Sequence, residues 1–79
     1  MNDEGINFPQ YRKYKNGKSY FKIINPRSFE EVQLIGSKRI VRETVALRYP
    51  EITFITDLLL NYSEMAEKIT EAEYLSIKK

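Results

Sequence analysis

Six side chains flanking one dipeptide carry most of the chemistry this sequence offers. Tyr11, Lys13 and Lys15 precede Asn16-Gly17, and Lys18, Tyr20 and Lys22 follow it, with Arg42 further along the chain. Aromatic rings set among cations suit single-stranded nucleic acid, because bases stack on the rings while phosphates are drawn to the charges. The plainer reading is a solvated sheet face on which tyrosines and lysines pair across strands, as their β propensity favours. No glycine–aromatic RNP motif, helix-turn-helix or zinc-finger spacing accompanies the cluster.

Other chemistry is sparse. The chain contains neither cysteine nor histidine. That excludes disulfides and thiol nucleophiles, and it removes the two commonest transition-metal ligands and the usual general base. Glu30 and Glu31 are neighbours, so a strand would point them to opposite faces. Glu71 and Glu73 read as helix-start residues, and Glu51 and Asp57 as a wet helix face. Lys18-Ser19 is the kind of nucleophile pair that chance supplies in a chain this charged, and Asn61-Tyr62-Ser63 is a glycosylation acceptor without a secretion signal. The expectation is a non-enzymatic protein with no cofactor and no metal.

The elements that would position the cluster begin with the dipeptide itself. Asn-Gly between two strand-like runs is the signature of a type I′ hairpin turn, which fixes the register of both strands. Tyr11 then faces Lys22, Arg12 faces Phe21 and Lys13 faces Tyr20. One face shows Tyr11, Lys13, Lys15, Lys18, Tyr20 and Lys22; the other shows Arg12, Tyr14, Ser19, Phe21 and Ile23. Pro26 marks the next turn. The segment 28–35 has two readings: a short helix opened by the capping box Ser28–Glu31, or a strand leading to a type II′ turn at Gly36-Ser37. The strand is preferred, since a seven-residue helix with two β-branched residues is marginal.

In that register Val32 faces Val41, Glu31 faces Arg42 and Gln33 faces Ile40. Pairing across the Pro26 turn sets Lys22, Glu31 and Arg42 in one charged row, with Phe21, Val32 and Val41 together on the opposite face. Glu30 then opposes Glu43, a like-charge pair. After Pro50, the residues Ile52, Ile55, Leu58, Leu59 and Tyr62 recur at helical spacing, although Thr53–Thr56 has strand propensity. Residues 65–69 read as a short connector, compatible with an extended conformation. Thr70–Glu73 is a capping box, with Ile69 and Tyr74 as its hydrophobic staple.

The fold expected is therefore α+β: a four-stranded antiparallel β-meander (about 10–15, 18–25, 30–35 and 38–48) with two helices (about 51–62 and 71–78) on one face. The Tyr/Lys face stays open to solvent. The 79 residues make one small domain, 1–79, in which residues 1–7 fray. The longest apolar run, Leu58–Leu60, is too short for a bilayer and the acidic N-terminus is no signal peptide, so a cytoplasmic protein with no membrane partner is expected.

Charge is uneven. Residues 8–48 hold ten basic against three acidic side chains, a net +7, whereas residues 49–79 hold three against six, a net −3. Such asymmetry bears on partners, not on fold. Two binding functions follow. The preferred one is protein–protein interaction, with an unknown partner or by self-association through a sheet edge, strands one and four being the edges. The alternative is single-stranded nucleic-acid binding through the basic, tyrosine-bearing face.

Overall fold

Alternation of side chains and three tight turns fold residues 10–45 into an antiparallel sheet. In the computed structural model, which describes residues 7–79, the strands are β1 (Gln10–Tyr14), β2 (Ser19–Asn25), β3 (Ser28–Ile35) and β4 (Lys38–Val45). Helix α1 (Tyr49–Leu60), strand β5 (Ala66–Lys68) and helix α2 (Glu71–Lys78) follow. The α+β class and the antiparallel meander agree with the sequence. The strand count does not: the sheet has five strands in the order β4-β3-β2-β1-β5. The connector 65–69 supplies the fifth, pairing antiparallel with β1 so that Tyr14 opposes Ala66. Strand β1 is therefore interior, and the edges are β4 and β5. The fraying expected of residues 1–7 lies, except for Asn7, outside the described residues.

The first hairpin keeps the expected register, with Tyr11 opposite Lys22 and Lys13 opposite Tyr20. Its turn differs from type I′. Gly17 N–H donates to the Tyr14 carbonyl at 2.8 Å, placing Lys15 and Asn16 at the centre, and among the described residues no non-glycine has positive φ. Asn16 instead accepts from Lys18 N–H through Oδ1 at 2.8 Å, and Gly17 alone takes the left-handed position at φ 75°. At the β3–β4 turn, Gly36 has φ 60° between the closing pair Ile35 and Lys38, the pattern of a type II′ turn, and Val32 opposes Val41 as expected.

The middle turn changes the fold. Proline at position 26 cannot take positive φ, so Pro26-Arg27 cannot form either of the primed turns whose twist matches a two-residue hairpin. The register shifts by one residue between Ile23 and Asn25. Asn25 opposes Ser28, as unbroken pairing requires, but beyond the irregularity Ile23 opposes Phe29, Lys22 opposes Glu30, Phe21 opposes Glu31 and Tyr20 opposes Val32. One residue of slip turns every side chain of β3 and β4 to the other face. The expected row of Lys22, Glu31 and Arg42 is accordingly replaced by Lys22, Glu30 and Glu43, and Phe21 no longer shares a face with Val32 and Val41.

Both faces are now apolar enough to need cover, and each takes one helix. Ile55 and Leu58 of α1 are buried against Phe21, Ile23 and Phe29, with Ala46 and Ala66 completing the larger core. The Phe21, Phe29 and Phe54 rings meet at centroid distances of 5.4–6.0 Å in tilted and edge-on pairs. The apolar stripe thus overrides the strand propensity of Thr53–Thr56. Helix α1 begins and ends two residues earlier than expected, whereas the bounds 71–78 hold for α2.

Helix α2 lies on the opposite face from α1, which corrects the expectation of both helices on one face. Its Tyr74 is fully buried against Tyr20 and Val32, flanked by Tyr11, Leu34, Ile69 and Ile77. The chain reaches the sheet edge through β5 with one face already taken by α1, so the free apolar stripe of Tyr20 and Val32 receives α2. Thr70 Oγ1 accepts Glu73 N–H at 3.1 Å, the N-cap the sequence announces. The result is helix, sheet, helix.

Candidate interaction surface

Helix α2 covers the face on which the basic, aromatic cluster was expected to lie open. Tyr20 is 8% exposed and lies beneath Tyr74, so its ring offers no surface to a base. Tyr11 is half-buried, its ring 5.4 Å from that of Tyr74. Burial, then the charge of Glu71 and a hydrogen bond to it, hold the Tyr11 hydroxyl above the ordinary tyrosine range. Lys13 Nζ sits 3.2 Å from Glu73 Oε2 and 5.9 Å from the Tyr20 centroid, and its hydrogen bond to Glu73 raises its pKa. Lys22 opposes Glu30. Lys15 and Lys18 are exposed at the hairpin end, and Arg42 points to the other face, bonded to Gln33 Oε1 at 3.2 Å. Tyr11, Lys13, Tyr20 and Lys22 are thus brought together, but with Glu30, Glu71 and Glu73 among them.

The like-charge pair is resolved by groups remote in sequence. Glu30 does oppose Glu43. Glu30 Oε1 accepts from the Tyr74 hydroxyl at 2.8 Å and lies 3.0 Å from Lys78 Nζ. Burial opposes ionisation of Glu30, yet the bonds from Tyr74 and Lys78 and the charges of Lys78 and Lys22 outweigh it, so its pKa falls below the ordinary value. The same contact, added to burial, drives the Tyr74 hydroxyl far above the usual tyrosine range.

Arg12 occupies the other side of the sheet. It is 3% exposed, with Nε donating to the Leu58 carbonyl at 2.9 Å and Nη1 to the Tyr11 carbonyl at 2.8 Å. Its guanidinium carbon lies 4.4 Å from the Tyr62 centroid. Leu58 is in the last turn of α1, where unpaired carbonyls carry partial negative charge, so the cation caps that helix and locks it to β1. Among the described residues no carboxylate forms an ion pair with it.

The surface left without a partner is the outer edge of β4. The two-residue loop makes Ile35–Lys38 a hydrogen-bonded pair, and antiparallel pairs alternate. Lys38, Ile40, Arg42 and Thr44 therefore bond inward to β3, and Ala46 N–H continues the series to the Arg27 carbonyl at 2.6 Å. Arg39, Val41, Glu43 and Val45 turn their N–H and C=O groups outward. None of the eight residues of β4 is buried. Val41 is 45% exposed and Val45 60%, and beyond the strand Leu47 and Tyr49 are 81% and 82% exposed. The other edge, β5, has only three residues, two of them the charged Glu67 and Lys68, which blunts it.

Sequence reasoning identified strand four as an edge but attached its site residues to the covered face. The signal it passed over was Pro26, which forbids the primed turn that unbroken register needs. Among the described residues no group of three or more acids is placed to hold a metal ion, and no helix is long and apolar enough to cross a membrane. No protein-family model matches the chain, and no curated protein or solved structure matches it either.

Proposed function

We propose that this chain is a non-enzymatic protein-interaction module that takes a partner strand along the outer edge of β4. The observation that carries this reading is an eight-residue edge strand, none of it buried, with outward amides at Arg39, Val41, Glu43 and Val45 and exposed apolar side chains at Val41 and Val45. An edge of this length with β-branched residues and no proline is a template for strand addition, in which main-chain bonds supply affinity and alternate side chains supply choice of partner. Leu47 and Tyr49 extend the apolar surface past the strand. Glu30 argues against catalysis: Tyr74 and Lys78 hold its carboxylate and its pKa is lowered, the wrong direction for a general acid.

A photo-crosslinking amino acid at position 45 tests the proposal in living cells, with position 53 on the exposed side of α1 as control. Protein adducts at 45 but not at 53, abolished by Val41→Pro, are expected. Equal labelling at both positions, or none at 45, would sink the edge as a docking surface.

A further inference from the structure

Resting on the edge-docking reading, we infer that the strand β4 accepts is β4 of a second copy, paired antiparallel about a two-fold axis at Val41. The argument is one of register. Main-chain bonding across this edge can involve only residues whose amides point outward, namely Arg39, Val41, Glu43 and Val45. With the axis at Val41, Val41 meets Val41 of the second copy, and Arg39 and Glu43 meet Glu43 and Arg39 of that copy. About six main-chain hydrogen bonds form, and two opposite-charge pairs flank an apolar centre.

The neighbouring registers lack this complementarity. An axis at Arg42 sets Arg42 against itself, one at Glu43 sets Glu43 against itself, and one at Ile40 sets Lys38 against Arg42 of the second copy. Only the Val41 register satisfies both charges. It also suits their surroundings: Arg39 and Glu43 are exposed, and neither forms an ion pair within the chain among the described residues. The same register sets the exposed Val45 opposite Ser37, in the β3–β4 turn of the second copy. The product is an isologous dimer with one continuous ten-stranded sheet, twice the five strands of each copy.

A single strand pair buries less than a standard interface of about 1,600 Å², so a dissociation constant on the order of micromolar is expected. Sedimentation equilibrium from roughly 1 µM upward covers that range. Arg39→Glu and Glu43→Arg, each alone, create like-charge pairs across the axis, and each should weaken self-association at least ~10-fold. An equimolar mixture of the two variants restores both opposite-charge pairs and should recover a heterodimer, as should the double variant with itself. Both positions are exposed, and circular dichroism confirms that each variant folds.

Single variants that dimerise as well as the parent, or a mixture that stays monomeric, would overturn the register. A parent that is monomeric up to about 1 mM would overturn self-pairing altogether. If such a monomer still gives edge-specific adducts to another protein at position 45, the interaction module stands and the second copy falls. With no adducts, both fall.

Discussion

The phenol of Tyr74 donates a 2.8 Å hydrogen bond to Glu30 Oε1, joining the last helix to the middle of a strand 44 residues earlier. This contact does two tasks at once. It gives a buried hydroxyl its acceptor, and it stabilises the ionised Glu30 that stands opposite Glu43. Removing the hydroxyl alone, by Tyr74→Phe, keeps the ring against Tyr11 and Val32. The expected cost is about 1–3 kcal/mol, since a hydrogen bond to a charged, largely buried acceptor is lost. Urea denaturation followed by circular dichroism reads it directly. A loss below ~0.5 kcal/mol would mean that Lys78 alone satisfies Glu30.

The same carboxylate sets an acid limit to stability. Its folded pKa lies below the unfolded value of about 4.5, so in the window between the two the unfolded chain binds more protons and stability rises with pH. The contribution is fully present above the unfolded value and is lost as pH falls through the folded one. In Glu30→Gln that contribution is absent. The stability gap between the parent and this variant should therefore be largest near neutrality and shrink as pH drops below about 4. Thermal melts at pH 7, 5, 4 and 3 test this, and a gap that stays constant across them would exclude Glu30 as the responsible group.

How much of this was legible beforehand depended on whether the signal was local. The Gly36-Ser37 turn, the register across it, the Thr70 cap and the stripe of α1 follow from short windows, and the structure has them. The Tyr74–Glu30 contact does not, because it needs Glu30 to point toward α2, and that orientation was decided at the Pro26 turn. With β3 read in unbroken register, Glu30 and Val32 fall beside Phe21 and the Tyr/Lys face looks wet. With the shift at Ile24, Val32 joins Tyr20 and that face needs a helix. The fifth strand was legible only as a connector compatible with an extended chain, for a different reason: Ala66–Lys68 is strand only because β1 offers it an edge, and three residues of Ala-Glu-Lys have no β propensity of their own.

Arg12 yields an ordering instead of a single value. Its guanidinium reaches Leu58 O and Tyr11 O while stacking on Tyr62, a geometry that a lysine ammonium cannot reproduce. Arg12→Lys would keep a charge in a site where nothing but carbonyls and a ring stabilises it, and it should cost about 2–4 kcal/mol. Arg12→Met removes the charge along with its bonds. It leaves Leu58 O without its donor but no buried cation, so it should cost less than the lysine variant. Denaturant midpoints of the two variants decide the matter, and a lysine variant as stable as the parent would show that the site is wetter than its 3% exposure implies.

Replacing Pro26-Arg27 by Asn-Gly sets the turn against the core. That dipeptide favours a type I′ turn and removes the local reason for the register shift, a preference on the order of 1 kcal/mol. Unbroken pairing would move β3 by one residue against β2. Phe29 and Val32, 6% and 0% exposed, would leave their cores, and Glu30 and Glu31 would each be carried to the opposite face. Withdrawing two large apolar side chains alone costs about 3–6 kcal/mol, several times the turn preference. The shift should therefore survive the substitution, with stability changed by less than ~1 kcal/mol. Cross-strand Hα contacts by NMR, Ile23 with Phe29 in the parent register against Ile24 with Phe29 in the unbroken one, read the outcome. The second pattern would show that the turn, and not the packing of Phe29 and Val32, governs which face β3 presents.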